Sequence, residues 1–186
     1  MAEPEERRRF EAAVLPHLDA AYNLARWLSR HPDEAVDAVQ EASLRAWRFF
    51  GGFRGGDARP WFLRIVRNTV LTARERQDGA KVVPFSALER DDGSSPLDDV
   101  AGPGGDPEAA LLRLEDDALV DRLLARLPPN FREVVVLREL EELSYREIAE
   151  VVQIPIGTVM SRLARARQLL LAFAGELGRE EQDRAL

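Results

Sequence analysis

Cysteine is absent from the chain, which excludes disulfides, thiolate metal ligands and cysteine nucleophiles. Histidine is nearly absent. His17 and His31 stand far apart, so a zinc site would have to rest on carboxylates, and no metal or cofactor is expected. No apolar run approaches the roughly 18–20 residues of a membrane span. The opening MAEPEERRRFEAAV lacks the apolar core of a signal peptide, so a soluble, cytoplasmic protein without direct membrane insertion is expected. Glycine-rich phosphate loops of the nucleotide-binding kinds are missing as well. GGFRGG at 51–56 follows no strand and leads to no GK[ST]. With no nucleophile and base arranged for catalysis, the chain does not read as an enzyme.

Positive charge is in short supply. The 186 residues carry 26 Lys plus Arg against 33 Asp plus Glu, a net charge of −7. A simple electrostatic nucleic-acid binder is usually basic, so the total argues against one. The distribution alters that inference. Residues 1–80 hold 13 basic and 12 acidic side chains, 81–107 hold 2 and 6, and 108–186 hold 11 and 15. From Gln153 to Leu170 there are three Arg and no acid. Fields at the scale of a Debye length, about 8 Å, steer a polyanion more than the total does.

The patterning is helical throughout, with no strand pairs, hairpin signals or repeats. Phe10, Val14, Leu15, Leu18, Tyr22, Leu24, Ala25 and Leu28 recur at three- and four-residue spacing, predicting a first helix ended by His31-Pro32-Asp33. Asp33 is read as the N-cap of a second helix, 34–50, with Val36, Val39, Leu44, Trp47 and Phe50 as its apolar positions. GGFRGG forces a loop, and Pro60 suits the first turn of a third helix. Residues 81–107, rich in Pro, Gly, Ser and Asp, form a linker. Pro107 then opens a helix that Pro128-Pro129 ends, and Asn130 is expected to cap the next. This gives an all-α fold of two small domains, 1–80 and 108–178, joined by a flexible linker. Residues 179–186 form a tail, and the end of the chain from Gly175 is expected to fray.

Two stretches carry the functional signal. SYREIAEVVQIPIGTVMSRLARARQLL (144–170) opens with a Ser-x-x-Glu capping box, then gives a short helix, a turn and a longer basic helix. That is the pattern of a helix-turn-helix, with Ile148, Ala149 and Val152 facing Val159 and Leu163. Ser161, Arg162, Arg165 and Gln168 are expected to point outward, where Arg suits phosphates and guanine edges. In FFGGFRGGDARPWFLRIVRN (49–68) aromatics interleave with arginines, as in proteins that hold single strands. Most of its five aromatics are nevertheless expected in a core.

At this level of detail the sequence resembles a family. LPPNFREVVVLRELEELSYREIAEVVQIPIGTVMSRLARAR resembles the C-terminal domain of bacterial sigma factors of the extracytoplasmic-function (ECF) group of the sigma-70 family. DEAVDAVQEASLRAWRFFGGFRGGDARPWFLRIVRN resembles their N-terminal core domain. The two stand in the family's order and cover most of residues 10–174. The resemblance implies a subunit that binds core RNA polymerase and promoter DNA to start transcription. It places Thr158, Ser161, Arg162 and Arg165 at the −35 element, with Arg138 and Tyr145 near its backbone. It assigns Phe53, Arg54, Asp57, Arg59, Trp61, Arg64 and Asn68 to capture of the −10 element. It assigns Asp37, Gln40 and Glu41, with Arg45 and Trp47 beyond, to docking on the polymerase. It also implies an anti-sigma factor as partner, and a linker threading toward the polymerase active centre. The chain departs from the family pattern at Met160, at Val36 and at Gln153, where a side chain sits in a turn that calls for positive φ. A stand-alone helix-turn-helix regulator, or a module that titrates another regulator, are the alternatives. The first would dimerise on a palindrome.

Overall fold

Pro16 breaks the first expected helix in two. In the computed structural model, which describes residues 3–77 and 117–184, α1 (Glu3–Val14) ends in a 3₁₀ turn at Leu15–His17 before α2 (Leu18–Leu28) begins. Next come α3 (Pro32–Phe49), a 3₁₀ turn at Phe50–Gly52 and α4 (Ala58–Gln77). The second half holds α5 (Asp117–Arg126), α6 (Pro129–Val135) continuing as a π turn (Val136–Leu140), α7 (Tyr145–Val152) and α8 (Ile156–Arg184). No strand occurs among the described residues, and the all-α expectation holds. The expected linker, and the start of the helix opened by Pro107, lie outside the described residues.

Helix starts differ from the sequence reading in a consistent way. Pro32 occupies the first turn of α3, so His31 rather than Asp33 takes the cap position. Asp33 and Glu34 lie inside the first turn, where carboxylates favour the helix dipole. Likewise Pro129 starts α6, which makes Pro128 the cap and puts Asn130 in the first turn. In both cases proline's preset φ moves the start upstream of the polar side chain. Asp57 does cap: its Oδ1 accepts the backbone N–H of Arg59 at 2.9 Å. Gly55 and Gly56, at φ +87° and +95°, make the loop before it.

The faces of α3 are the reverse of the expected ones. Ala35, Ala38, Ala42 and Ala46 are buried, while Val36, Leu44 and Trp47 are exposed. A stripe of alanines is a good helix former and lets α3 approach α2 and α4 closely. The large side chains are thereby turned outward. Of the five aromatics at 49–62, Phe50 and Phe62 are buried, Phe53 and Trp61 half-buried, and Phe49 is 65% exposed. Phe10, Trp47, Phe50, Phe53 and Trp61 form a chain of ring contacts, with centroids 4.9–6.3 Å apart, that ties α1 to α3 and α4.

In the second half, Arg132 satisfies the orphan carbonyls ending α5: it donates to Leu124, Ala125 and Leu127 at 2.7–2.9 Å. Its Nη1 also reaches Trp27 O in the first half, at 3.4 Å. α8 does not fray at Gly175 but runs to Arg184. Phe173 and Leu177 pack against the core, Arg126 lies over the Phe173 ring at 4.3 Å, and an ion pair joins Arg126 to Glu176. The two halves are not apart. α4 packs along α7 and α2 against α6, and the buried side chains of both halves form one continuous core.

Candidate nucleic-acid and polymerase interfaces

The helix-turn-helix is built as its sequence expects. Ser144 Oγ accepts the Glu147 N–H at 3.3 Å, and a Glu147 carboxylate oxygen accepts the Ser144 N–H at 2.6 Å, closing the capping box that starts α7. Gln153 ends α7 at φ 62°, ψ 45°, in the left-handed region the sequence called for. Ile154 N–H reaches back to Ala149 O at 3.3 Å, completing the stop. Ile148, Val151, Val152, Val159 and Leu163 are buried together between α7 and α8. Since glutamine is strained at this φ, Gln153→Gly is expected to raise the unfolding free energy by about 1 kcal/mol in a urea titration, without loosening the turn.

The outward stripe of α8 holds Gly157, Met160, Ser161, Ala164 and Gln168, flanked by half-buried Thr158 and Arg165. It bears no carboxylate, and the Ser161 hydroxyl donates to Thr158 O at 3.0 Å. Arg162 is not on this stripe. It is 6% exposed, with Nη1 3.5 Å from Glu133 of α6, so it ties α8 to its own domain instead of facing outward. Arg138 stands at the entrance. Its Nη1 donates to Leu143 O at 2.9 Å and its guanidinium lies over the Tyr145 ring at 5.1 Å, which organises the loop before the capping box.

The expected −10 residues surround the start of α4. Phe53, Gly55, Asp57, Pro60, Trp61 and Arg64 line one wall of a cleft of about 440 Å³. Arg54 and Asn68 are exposed on the same half. Arg59 pairs with Glu141 at 2.9 Å.

On α3, Asp37 and Gln40 are exposed and Glu41 is half-buried. Glu41 accepts from Arg45 at 2.8 Å, and this bond holds the Glu41 carboxyl below its usual range. Val36, Leu44 and Trp47 lie among them, so the face mixes acid with uncovered apolar surface. The sequence reading missed Val36 and Leu44 here. The available signal was the parallel stripe of alanines, which competes for the same helix as its buried side.

Comparison with known proteins settles the family. Residues 13–79 match the sigma-70 region 2 model, and residues 117–170 match the sigma-70 region 4 model. The RNA polymerase sigma-H factor of Pseudomonas aeruginosa is 37% identical over 169 residues, which span 89% of this chain and 86% of that one. The chain belongs to the sigma-70 family of RNA polymerase sigma factors. The ECF RNA polymerase sigma-E factor of Escherichia coli K12 is 36% identical over 74% of this sigma factor and 72% of its own length, which sets it in the ECF group. Among solved structures, the sigma factor RpoE in complex with the anti-sigma factor NepR from Bartonella quintana matches with a TM-score of 0.61 at 28% identity. It covers 88% of this chain and 94% of its own. CnrH in complex with the cytosolic domain of CnrY matches at 0.60 and 25% identity, over 91% and 90%.

The matched regions coincide with the two signal-bearing stretches of this sigma factor. No group of three or more metal-ligating side chains occurs among the described residues, and no described helix is long and apolar enough to cross a membrane. His17 and His31 both stand at helix ends.

Proposed function

We propose that this sigma factor divides its work among three surfaces. The outward face of α3, with Asp37, Gln40, Glu41 and Arg45 among Val36 and Leu44, docks on core RNA polymerase. The loop and helix from Phe53 to Asn68 capture the opened −10 strand: Trp61 and Phe53 offer rings for stacking, and Arg54, Arg59 and Arg64 offer cations for phosphates. The start of α8 reads the −35 element through Thr158, Ser161 and Arg165, while Arg138 and Tyr145 shape its entrance. Arg162 and Asp57 act by positioning, one as a buried tie and the other as the cap of α4. The chain performs no covalent chemistry. Binding energy from polymerase and from both promoter elements offsets the cost of strand opening, in the cytoplasm where polymerase works. An anti-sigma factor is a partner by analogy with the RpoE–NepR complex.

The observation that carries this reading is the outward stripe of α8, free of carboxylate and held rigid by a complete capping box. Its test is to add the full chain to core polymerase and map transcription starts on genomic DNA. A new set of starts with common −35 and −10 sequences is expected, and starts identical to those of core alone would overturn the reading. At such a promoter Arg165→Ala is expected to cost about 1–3 kcal/mol of binding, and unchanged discrimination at the −35 element would remove Arg165 from the reading set.

A further inference from the structure

The ion pairs that cross between the two halves all run one way. Arg67 of α4 donates two bonds to Glu133 of α6, Nε to Oε2 at 2.8 Å and Nη2 to Oε1 at 3.2 Å, in a buried site. Arg59 pairs with Glu141 at 2.9 Å, and Glu141 also accepts from Asn23 at 3.1 Å. Arg26 pairs with Asp121 at 3.1 Å. In each pair the cation belongs to region 2 and the carboxylate to region 4. The cleft beside Trp61 and Arg64 follows the same rule, because its opposite wall is Glu147 and Glu150 of α7. Carboxylates of the second domain thus stand against the cations and rings assigned to the −10 strand.

We infer that the acidic faces of α5, α6 and α7 act as an internal substitute for nucleic acid, closing the free sigma factor over its own −10 surface. The inference rests on the −10 assignment above. Glu133 keeps Arg162 as a partner within its own domain, so opening does not strand it. Arg59 is partly exposed and is rehydrated when released. The closure is therefore reversible. A polymerase that separates the two domains exposes the −10 surface at the moment a promoter is presented, while the free chain is kept from single strands elsewhere. This accounts for the uneven charge: the excess acid of residues 108–186 has a face of the same chain to meet.

The test uses Asp121→Ala with Glu141→Ala in the full chain, and Arg67→Ala as a second way to open it. Small-angle X-ray scattering gives the radius of gyration. Fluorescence anisotropy gives affinity for a labelled single-stranded 20-mer of mixed sequence at low salt. The double variant is expected to expand and to bind about tenfold more tightly, the ratio for a wild type open one molecule in ten. Arg67→Ala is expected to expand likewise. Variants as compact as the wild type overturn the inference, and so does tighter binding without expansion, which would reflect the change of charge alone. Expansion without tighter binding overturns the masking. Start-site mapping with wild-type holoenzyme tests the sigma assignment independently of all three results.

Discussion

Glu133→Ala is expected to lower the unfolding free energy by about 3–5 kcal/mol, the cost of leaving buried charges without their partner. Glu133 is 1% exposed and accepts from Arg67 and Arg162. Burial pushes its carboxyl up, and the Arg67 guanidinium pulls the other way. Arg162 in turn is lowered first by burial and then by the nearby charge of Arg67. Removing the carboxylate leaves two guanidinium groups facing one another in a poorly hydrated site. A methyl group supplies no acceptor, and the neighbouring Val134 and Val135 are buried and apolar. Urea unfolding of the full chain followed by circular dichroism measures the loss. Glu133→Gln retains the shape and one acceptor and should lose less. An unchanged midpoint for Glu133→Ala would mean that the network contributes nothing to stability. Binding to a −35 duplex should fall in parallel, because the same carboxylate anchors α8 through Arg162.

That network marks the limit of what the sequence made legible. The helix-turn-helix could be read almost residue by residue because its determinants are local. Ser144 and Glu147 lie one turn apart, and Gln153 must be left-handed because α7 has to stop there. The all-α class follows from periodicity, and Gly55 and Gly56 announce their own loop. Arg162 could not be placed by the same means. Its spacing puts it beside Ser161 and Arg165 on a basic helix, and only the distant Glu133, 29 positions earlier, turns it inward. Arg67 and Glu133 are 66 positions apart, and nothing local pairs them. The packing of α4 on α7 is a tertiary event with no periodic trace in either helix. The α3 error has a different origin. Two stripes compete on that helix, one large and apolar and one of alanine, and hydrophobicity alone favours the wrong one. Close helix packing favours the small one, since side-chain bulk sets the distance between axes.

Leu44→Asp turns that reversal into a measurement. If Leu44 belonged to the core, burying a carboxylate in its place would unfold the first domain. At 56% exposure, on a helix whose buried side is Ala35, Ala38, Ala42 and Ala46, the substitution should leave thermal stability within about 0.5 kcal/mol of the wild type. Its effect should appear in holoenzyme assembly. An apolar side chain ringed by Gln40, Glu41 and Arg45 has the make-up of an anchor inside a polar rim. Truncating such an anchor costs about 2 kcal/mol or more, and placing a charge there adds desolvation to the loss. Binding to core polymerase should therefore weaken at least about thirtyfold, read by fluorescence anisotropy of labelled sigma factor. Glu41→Arg should act in the same direction through charge, breaking the Glu41–Arg45 pair and reversing the field of the stripe. Undiminished assembly by Leu44→Asp would move the docking surface off α3. A collapse in thermal stability would restore the large apolar stripe to the core. The two readings of one helix thus predict opposite losses, one of fold and one of partner.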